Sequence, residues 1–290
     1  MTQGVSIRAI VAEAAVRLAG AGLPADEAAR DAALLARWTL GWDEARWIAE
    51  SREPAPASFA GALDALVTRR AAREPIGYVT GGREFYGRPF LVTPDVLIPR
   101  PETELIVEET LDVLAPGASA RVCDVGTGSG CLAVTIALER PGAGVVATDE
   151  SAAALAVARR NAERLGAARV RFAAADLFDE DGPFDVIVSN PPYVAETDRA
   201  GLDADVRDYE PASALFGGTD GLAVIRRLIP AAAARLTPGG WLFVEIGAGQ
   251  AEAVAALVDA TPALTRAGFR RDWQEIPRVL RARRTEGVPG

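Results

Sequence analysis

The sequence predicts an α/β domain built on a mostly parallel sheet, preceded by a small helical bundle. Three observations carry that expectation. Apolar residues recur at three- and four-residue spacing through the first 75 positions. From about residue 104 onward, short apolar strands alternate with amphipathic helical stretches, the pattern of a parallel sheet covered on both faces. The chain has 290 residues, 49% hydrophobic and 24% charged, which is enough to bury a sizeable core in one large domain or two smaller ones.

The helical period is clearest in IRAIVAEAAVRLAGAG, ADEAARDAALLARWTLG and ASFAGALDALVTRRAA, with breaks at Gly20, Gly22, Pro24, Gly41 and the EPAPAS stretch at 53–58. Trp38, Trp42 and Trp47 are expected to pack in or between these helices. Residues 1–75 are thus read as a helical domain and 76–100 as a β-hairpin linker, because β-branched and aromatic residues there are broken by Gly and Pro. In 101–290, strands are expected near 120–125, 144–149, 169–174, 184–189 and 240–246. Helices fit 103–114, 130–139, 152–165, 220–235 and 249–259. The tail, GFRRDWQEIPRVLRARR, reads as a terminal antiparallel hairpin.

Composition removes several chemistries. The chain contains no histidine and no lysine, so all 31 basic residues are arginine. Histidine general bases, Ser-His-Asp triads and lysine Schiff bases are therefore impossible. Cys123 and Cys131 cannot build a structural zinc site alone, and their neighbours place them in a buried strand and at a helix start. The net charge of -9 and a pI near 4.8 argue against a nucleic-acid partner, whose phosphates call for a basic face. No apolar run approaches the roughly 20 residues that span a bilayer, and the first residues lack a signal-peptide pattern, so no membrane association and a cytoplasmic location are expected.

CDVGTGSG at 123–130 follows a strand and opens a helix. Its glycines let backbone approach a ligand, with amides presented at a helix N-terminus. A dinucleotide fingerprint would need G-x-G-x-x-G, but Cys131 stands where its third glycine belongs. The Gly126, Gly128, Gly130 spacing after Asp124 resembles the first motif of Rossmann-like methyltransferases. Asp149, ending the next strand, is placed to accept from both hydroxyls of a ribose; the plainer role is a cap for the helix beginning near Ser151. Asp176 in AADLF is placed to meet an adenine amino group while Leu177 and Phe178 pack on the ring, or to act as another cap.

SNPPYV at 189–194 ends the fourth strand, beside the order reversal where open α/β sheets bind ligands. An amide or aniline-type nitrogen is a poor nucleophile because its lone pair is delocalised. The side-chain oxygen of Asn190 and the carbonyl of Pro191 can each accept one N–H of a planar NH2 group. They thereby aim the nitrogen at a sulfonium methyl and stabilise the charge that develops on it. Tyr193 offers a stacking face, and Pro191 and Pro192 stiffen the loop. The donor is already cationic, so no base is required before transfer.

N-P-P-Y alone fits adenine N6, cytosine N4 or glutamine N5 as acceptor. GGREFYGRPFLVTPDVLIPRPETE at 81–104, with CDVGTGSGCLAV, SNPPYV and YEPASALFGGTDGL at 209–222, closely resembles the HemK/PrmC family, the release factor glutamine methyltransferases; the resemblance runs over essentially the whole chain. It implies a Rossmann-like class I methyltransferase sheet and S-adenosyl-L-methionine as cofactor. The substrate would be the Gly-Gly-Gln glutamine of bacterial class 1 peptide chain release factors, gripped by the N-terminal helices. Gly126, Thr127, Gly128, Ser129, Gly130, Asp149, Leu177 and Asn190 would contact the cofactor, joined by Asp176 on the reading of AADLF above, and Asn190, Pro191, Pro192 and Tyr193 would contact the glutamine. Phe85, Arg100 and Thr103 would wall the pocket or pack the linker. The acidic stretch 194–220, with Glu196, Asp198, Asp203, Asp205, Asp208 and Glu210, is expected to form a solvated lid or to meet a basic partner surface. An adenine-N6 methyltransferase acting on DNA or RNA is the alternative.

Overall fold

The structure, a computed structural model, describes residues 5–286. It divides into two compact units: the chain up to Gly81 together with Ala204–Tyr209, and Gly82–Asp203 with the chain from Glu210 onward.

The first unit holds α1 (Ile7–Gly20), α2 (Ala25–Leu40), α3 (Glu44–Glu50), α4 (Phe59–Ala71) and α5 (Ile76–Thr80). Ser6 caps α1 and Asp43 caps α3, each accepting from the amide three residues on, and Gly41 ends α2 in the left-handed region. Leu18, Leu35, Phe59 and Leu63 are fully buried between the long helices. Trp42 and Trp47 pack against this core as expected. Trp38 does not: it is 53% exposed, on the flank of the α2 stripe that buries Ala28, Ala32, Leu35 and Ala36. The segment Ile76–Thr80, expected to begin a hairpin, is helical. Pro75 at its N-cap supplies a fixed φ and Gly81 closes it at φ 72°, which together override the β-branched residues.

Arg70 is 1% exposed, and its guanidinium meets Glu27 at 2.5 Å, Asp31 at 2.7 Å and Asp205 at 3.4 Å. Tyr209 adds a hydroxyl bond to the Ala72 carbonyl at 2.6 Å. Asp205 is therefore a structural partner of a buried cation rather than a solvated lid charge.

The second unit begins with a hairpin, β1 (Gly82–Phe85) and β2 (Arg88–Leu91). It continues through α6 (Glu104–Val113), β3 (Arg121–Val125), α7 (Cys131–Glu139), β4 (Gly144–Asp149), α8 (Ala152–Leu165), β5 (Arg171–Ala174) and β6 (Phe184–Ser189). After α9, the Ala204–Tyr209 helix of the first unit, come α10 (Ala212–Leu215), α11 (Ala223–Arg235), β7 (Leu236–Glu245), α12 (Ala251–Asp259), β8 (Leu264–Arg271) and β9 (Pro277–Arg284). The seven-stranded sheet runs β5-β4-β3-β6-β7-β9-β8. Its first five strands are parallel; β9 pairs antiparallel with β7 and with β8, the expected terminal hairpin.

Alternate residues of each central strand enter different cores. Val122, Val145, Val186 and Phe243 join α6, α7 and α8 on one face, while Cys123, Val146, Ile187 and Leu242 join α11 and α12 on the other. Burial on both faces explains why these strands read as continuous apolar runs. The chain order reverses between β3 and β6, so their carboxyl ends flank an open crevice. Among the described residues no helix is long and apolar enough to cross a membrane.

Removing a buried cation strands its carboxylates. Arg70→Ala is expected to destabilise the helical unit by about 3–5 kcal/mol. Denaturant unfolding followed by Trp38, Trp42 and Trp47 fluorescence measures it; an unchanged midpoint would show that the ion cluster contributes no net stability.

Candidate active site

A cavity of about 320 Å³ lies at the carboxyl ends of the parallel strands, within the second unit. Gly126, Thr127, Gly128, Ser129, Asp149, Asp176, Leu177, Asn190, Pro191 and Pro192 line it. Gly130 stands just behind, at φ 82°, where a Cβ would come within 3.1 Å of the Ala158 Cβ; glycine lets the loop rest directly on α8. Asn161 of α8 accepts from Leu91 N at 2.7 Å and donates to the Leu91 and Ser129 carbonyls at 2.9 Å, tying hairpin, helix and glycine loop together.

Asp149 accepts from Gly128 N at 2.9 Å and from Ser151 N at 2.8 Å. It does not cap α8, since Ser151 does so by accepting from Ala154 N. Asp176 stands at the exposed rim, paired with Arg227 at 2.5 Å. Leu177 reaches the cavity through a left-handed backbone at φ 69°, and its carbonyl accepts from Thr148 Oγ1 at 2.6 Å. Phe178, expected beside it, turns away under the Arg235 guanidinium and packs on the core. Phe85 is buried against Phe90 and does not line the cavity. Arg100 is engaged elsewhere, pairing at 2.5 Å with Glu210, whose other oxygen accepts from Ile98 N at 3.1 Å. Glu210 is thus a buried anchor for the PRPETE segment and not part of a solvated lid.

At the end of β6, Asn190 Nδ2 donates to Thr103 Oγ1 at 3.0 Å, while Asn190 Oδ1 is buried without a hydrogen-bond partner among the described residues. Thr103 Oγ1 in turn donates to Glu245 Oε2 at 2.7 Å, and the Tyr193 hydroxyl donates to Oε1 of the same carboxylate at 3.1 Å. Tyr193 does not line the cavity: its ring packs against the core, and its phenol is held above the usual range by burial and by Glu245. The expected stacking face is accordingly not presented.

The Asn190–Tyr193 loop is clamped from behind by residues 215–221. Val194 N donates to Leu215 O, and Gly217 N donates to Val194 O, both at 2.9 Å. At Gly221, with φ 74°, a Cβ would fall 2.2 Å from the Tyr193 carbonyl oxygen. Backbone-to-backbone contact of this kind requires glycine, which gives the GGTDGL stretch its physical role.

Sequence reasoning named Asp124 only as the residue ahead of the glycine motif and missed Glu245; both are buried carboxylates. Asp124 Oδ2 accepts from Thr127 Oγ1 at 2.6 Å and Ala133 N at 3.1 Å, while Oδ1 has no partner. Burial pushes Asp124 up to about 7, against the pull of those two hydrogen bonds. Glu245 is also pushed up to about 7 by burial; the Thr103 and Tyr193 hydrogen bonds and Arg278 oppose the rise, and Glu102 adds to it. Cys131 and Cys123 are buried and raised, Cys131 to about 12, so neither thiol ionises at neutral pH.

Both carboxylates bind protons more tightly when folded than when unfolded. Each therefore contributes stability that is fully present below the ordinary carboxylate range and is lost as pH rises through about 7. No histidine titrates in that window. The ligand-free protein is expected to lose stability between roughly pH 5 and pH 8, by at most about 1.4 kcal/mol per pH unit for each group. Glu245→Gln should flatten the decline in denaturant midpoint across that range. A slope identical to the parent's would contradict the assignment.

Known proteins of related sequence supply the family. Residues 102–204 match the methyltransferase small domain family, and residues 9–81 match the PrmC N-terminal domain. The release factor glutamine methyltransferase of Geobacter sulfurreducens is 47% identical over 246 residues, spanning 83% of this chain and 86% of that protein. The enzyme of the same name from Bordetella pertussis is 46% identical over 265 residues, spanning 90% and 96%. A methyltransferase structure from Pyrococcus furiosus shares the fold at 18% identity, with a TM-score of 0.51 over 77% of this chain and 98% of that one. The chain belongs to the release factor glutamine methyltransferase family.

Proposed function

We propose that this protein transfers the methyl group of S-adenosyl-L-methionine to the side-chain amide nitrogen, N5, of the glutamine in the Gly-Gly-Gln tripeptide of bacterial class 1 peptide chain release factors. The observation that carries the reading is the orientation of Asn190. Its Nδ2 is committed to Thr103 and its Oδ1 is buried without a partner, an acceptor held ready for an N–H.

The cavity suits the cofactor. Asp149 offers an acceptor pair for a ribose diol, the Gly126–Gly130 loop brings backbone close, and Leu177 supplies an apolar wall. Asp176, at the rim beside Arg227, is assigned to the adenine end. When bound, the sulfonium supplies an electrophilic methyl group. Asn190 Oδ1 and the Pro191 carbonyl take the two N–H groups of the substrate amide, hold its plane and stabilise the charge that grows on nitrogen. Pro191 and Pro192 stiffen the loop, and Tyr193 holds it through Glu245. S-adenosylhomocysteine leaves as the C–N bond forms, and the methylated amide then gives its proton to water, so no side chain need remove a proton first, consistent with a chain that lacks histidine and lysine.

The match of residues 9–81 to the PrmC N-terminal domain supports assigning release-factor recognition to the helical unit. A cytoplasmic location fits such a substrate. The net charge of -9 disfavours the adenine-N6 reading on DNA or RNA.

Incubation with radiolabelled S-adenosylmethionine and a bacterial class 1 release factor should label the factor, and its Gln→Ala variant in Gly-Gly-Gln should take no label. Asn190→Ala should lower kcat about 10²–10³-fold. Label appearing only in added DNA or RNA would overturn the proposal.

A further inference from the structure

The direction of the Asn190 amide is fixed from outside the N-P-P-Y motif. β6 and β7 pair in register with Ser189 opposite Val244, so the next residues, Asn190 and Glu245, leave the sheet side by side. Between them comes Thr103, 1% exposed, from the turn that opens α6. Thr103 lies in helical backbone, at φ -65° and ψ -22°, and makes no capping bond, so its hydroxyl is left for other partners. Its hydroxyl is spent on Glu245 and Asn190 instead.

The polarity of this chain has one solution while Glu245 is ionised. A carboxylate only accepts, so the single Thr103 hydroxyl proton goes to Glu245 Oε2. Thr103 Oγ1 then has only lone pairs left for Asn190, and only Nδ2–H can meet them. The amide oxygen must face the other way. A flipped amide would set Oδ1 against Oγ1 and turn two N–H groups toward a substrate NH2 that also donates. Tyr193 fixes the second oxygen of Glu245, and Gln250 Nε2 holds the Tyr193 carbonyl at 2.9 Å, so the carboxylate itself cannot swing.

We propose that Thr103 and Glu245 are positioning residues for methyl transfer: Glu245 orients the Thr103 hydroxyl, which orients Asn190 so that Oδ1 accepts from the substrate amide. The inference rests on the proposed function only for the identity of that amide. The charged side chains facing Glu245 besides its partners Thr103 and Tyr193 are Glu102 and Arg278, and neither hydrogen-bonds to the Thr103 hydroxyl.

Two measurements on the full-length protein test this. Thr103→Val keeps the side-chain shape and removes the hydroxyl; Thr103→Ser restores it. With release factor as substrate, kcat should fall at least about tenfold in Thr103→Val and return to within about threefold of the parent in Thr103→Ser, with cofactor affinity held. The second measurement needs no substrate. The chain has two asparagines, Asn161 and Asn190, so ¹⁵N-asparagine labelling yields two side-chain amide pairs, which Asn190→Asp assigns. The Asn190 pair should exchange its hydrogens at least about tenfold faster in Thr103→Val than in the parent and in Thr103→Ser. Parental kcat in Thr103→Val, equal impairment in both variants, or exchange unaffected by Thr103→Val would each overturn the proposal. If the parent fails to label release factor, the functional reading falls while the exchange measurement still decides the relay.

Discussion

The structure depends on placing an uncommitted hydrogen-bond acceptor where β3 and β6 part. Asn190 supplies it at the carboxyl end of β6, and the sheet order makes that position an open crevice rather than a packed seam. A buried, unpaired amide oxygen costs free energy, of the order of 1–3 kcal/mol. The fold sustains it because the remainder of the loop is over-determined. Thr103 holds the amide nitrogen, Glu245 holds Thr103 and Tyr193, and the backbone of 215–221 closes on the loop from behind. Strain and unmet polarity of this sort gather at functional sites because only a rigid surround can maintain them.

The same logic runs through the glycine loop. Asp124 holds Thr127 and the first turn of α7 from beneath, and Asp149 holds Gly128 from the side. Two carboxylates thus shape a loop whose backbone faces the cavity, while Asn161 fixes its position on α8 and on the hairpin. Both of the chain's asparagines are therefore spent on backbone or substrate geometry rather than on surface turns. The absence of histidine suits a reaction in which orientation and charge stabilisation do the catalytic work.

Much of this was legible in the sequence. The glycine spacing, Asp149 and the N-P-P-Y run each close a short apolar run that reads as a strand, so the motifs themselves mark where those strands end. The misreadings were of two kinds. Ile76–Thr80 looks like a strand by composition, yet its terminal Pro and Gly decide for a helix; Trp38 lies on α2 and Phe178 in the loop after β5, each with its side chain turned the other way. Thr103 was expected to wall the pocket or pack the linker, and it lines the cavity; its bonds to Asn190 and Glu245, and the anchoring roles of Glu210 and Glu245, were not recoverable, because each runs to partners 52 to 142 positions away. Nothing in the linear neighbourhood of Glu245 marks it as anything but the end of an apolar strand. Only the pairing of β7 with β6 brings it to Asn190.

The central claim is that the site presents acceptors, and only acceptors, to the group it methylates. Calorimetric titration of the protein, saturated with S-adenosylhomocysteine, against a release-factor-derived Gly-Gly-Gln peptide and its Gly-Gly-Glu counterpart tests it directly. A carboxylate has no N–H for Asn190 Oδ1 or the Pro191 carbonyl, so at neutral pH the Glu peptide should bind at least about tenfold more weakly. Equal affinity for the two peptides would contradict the account.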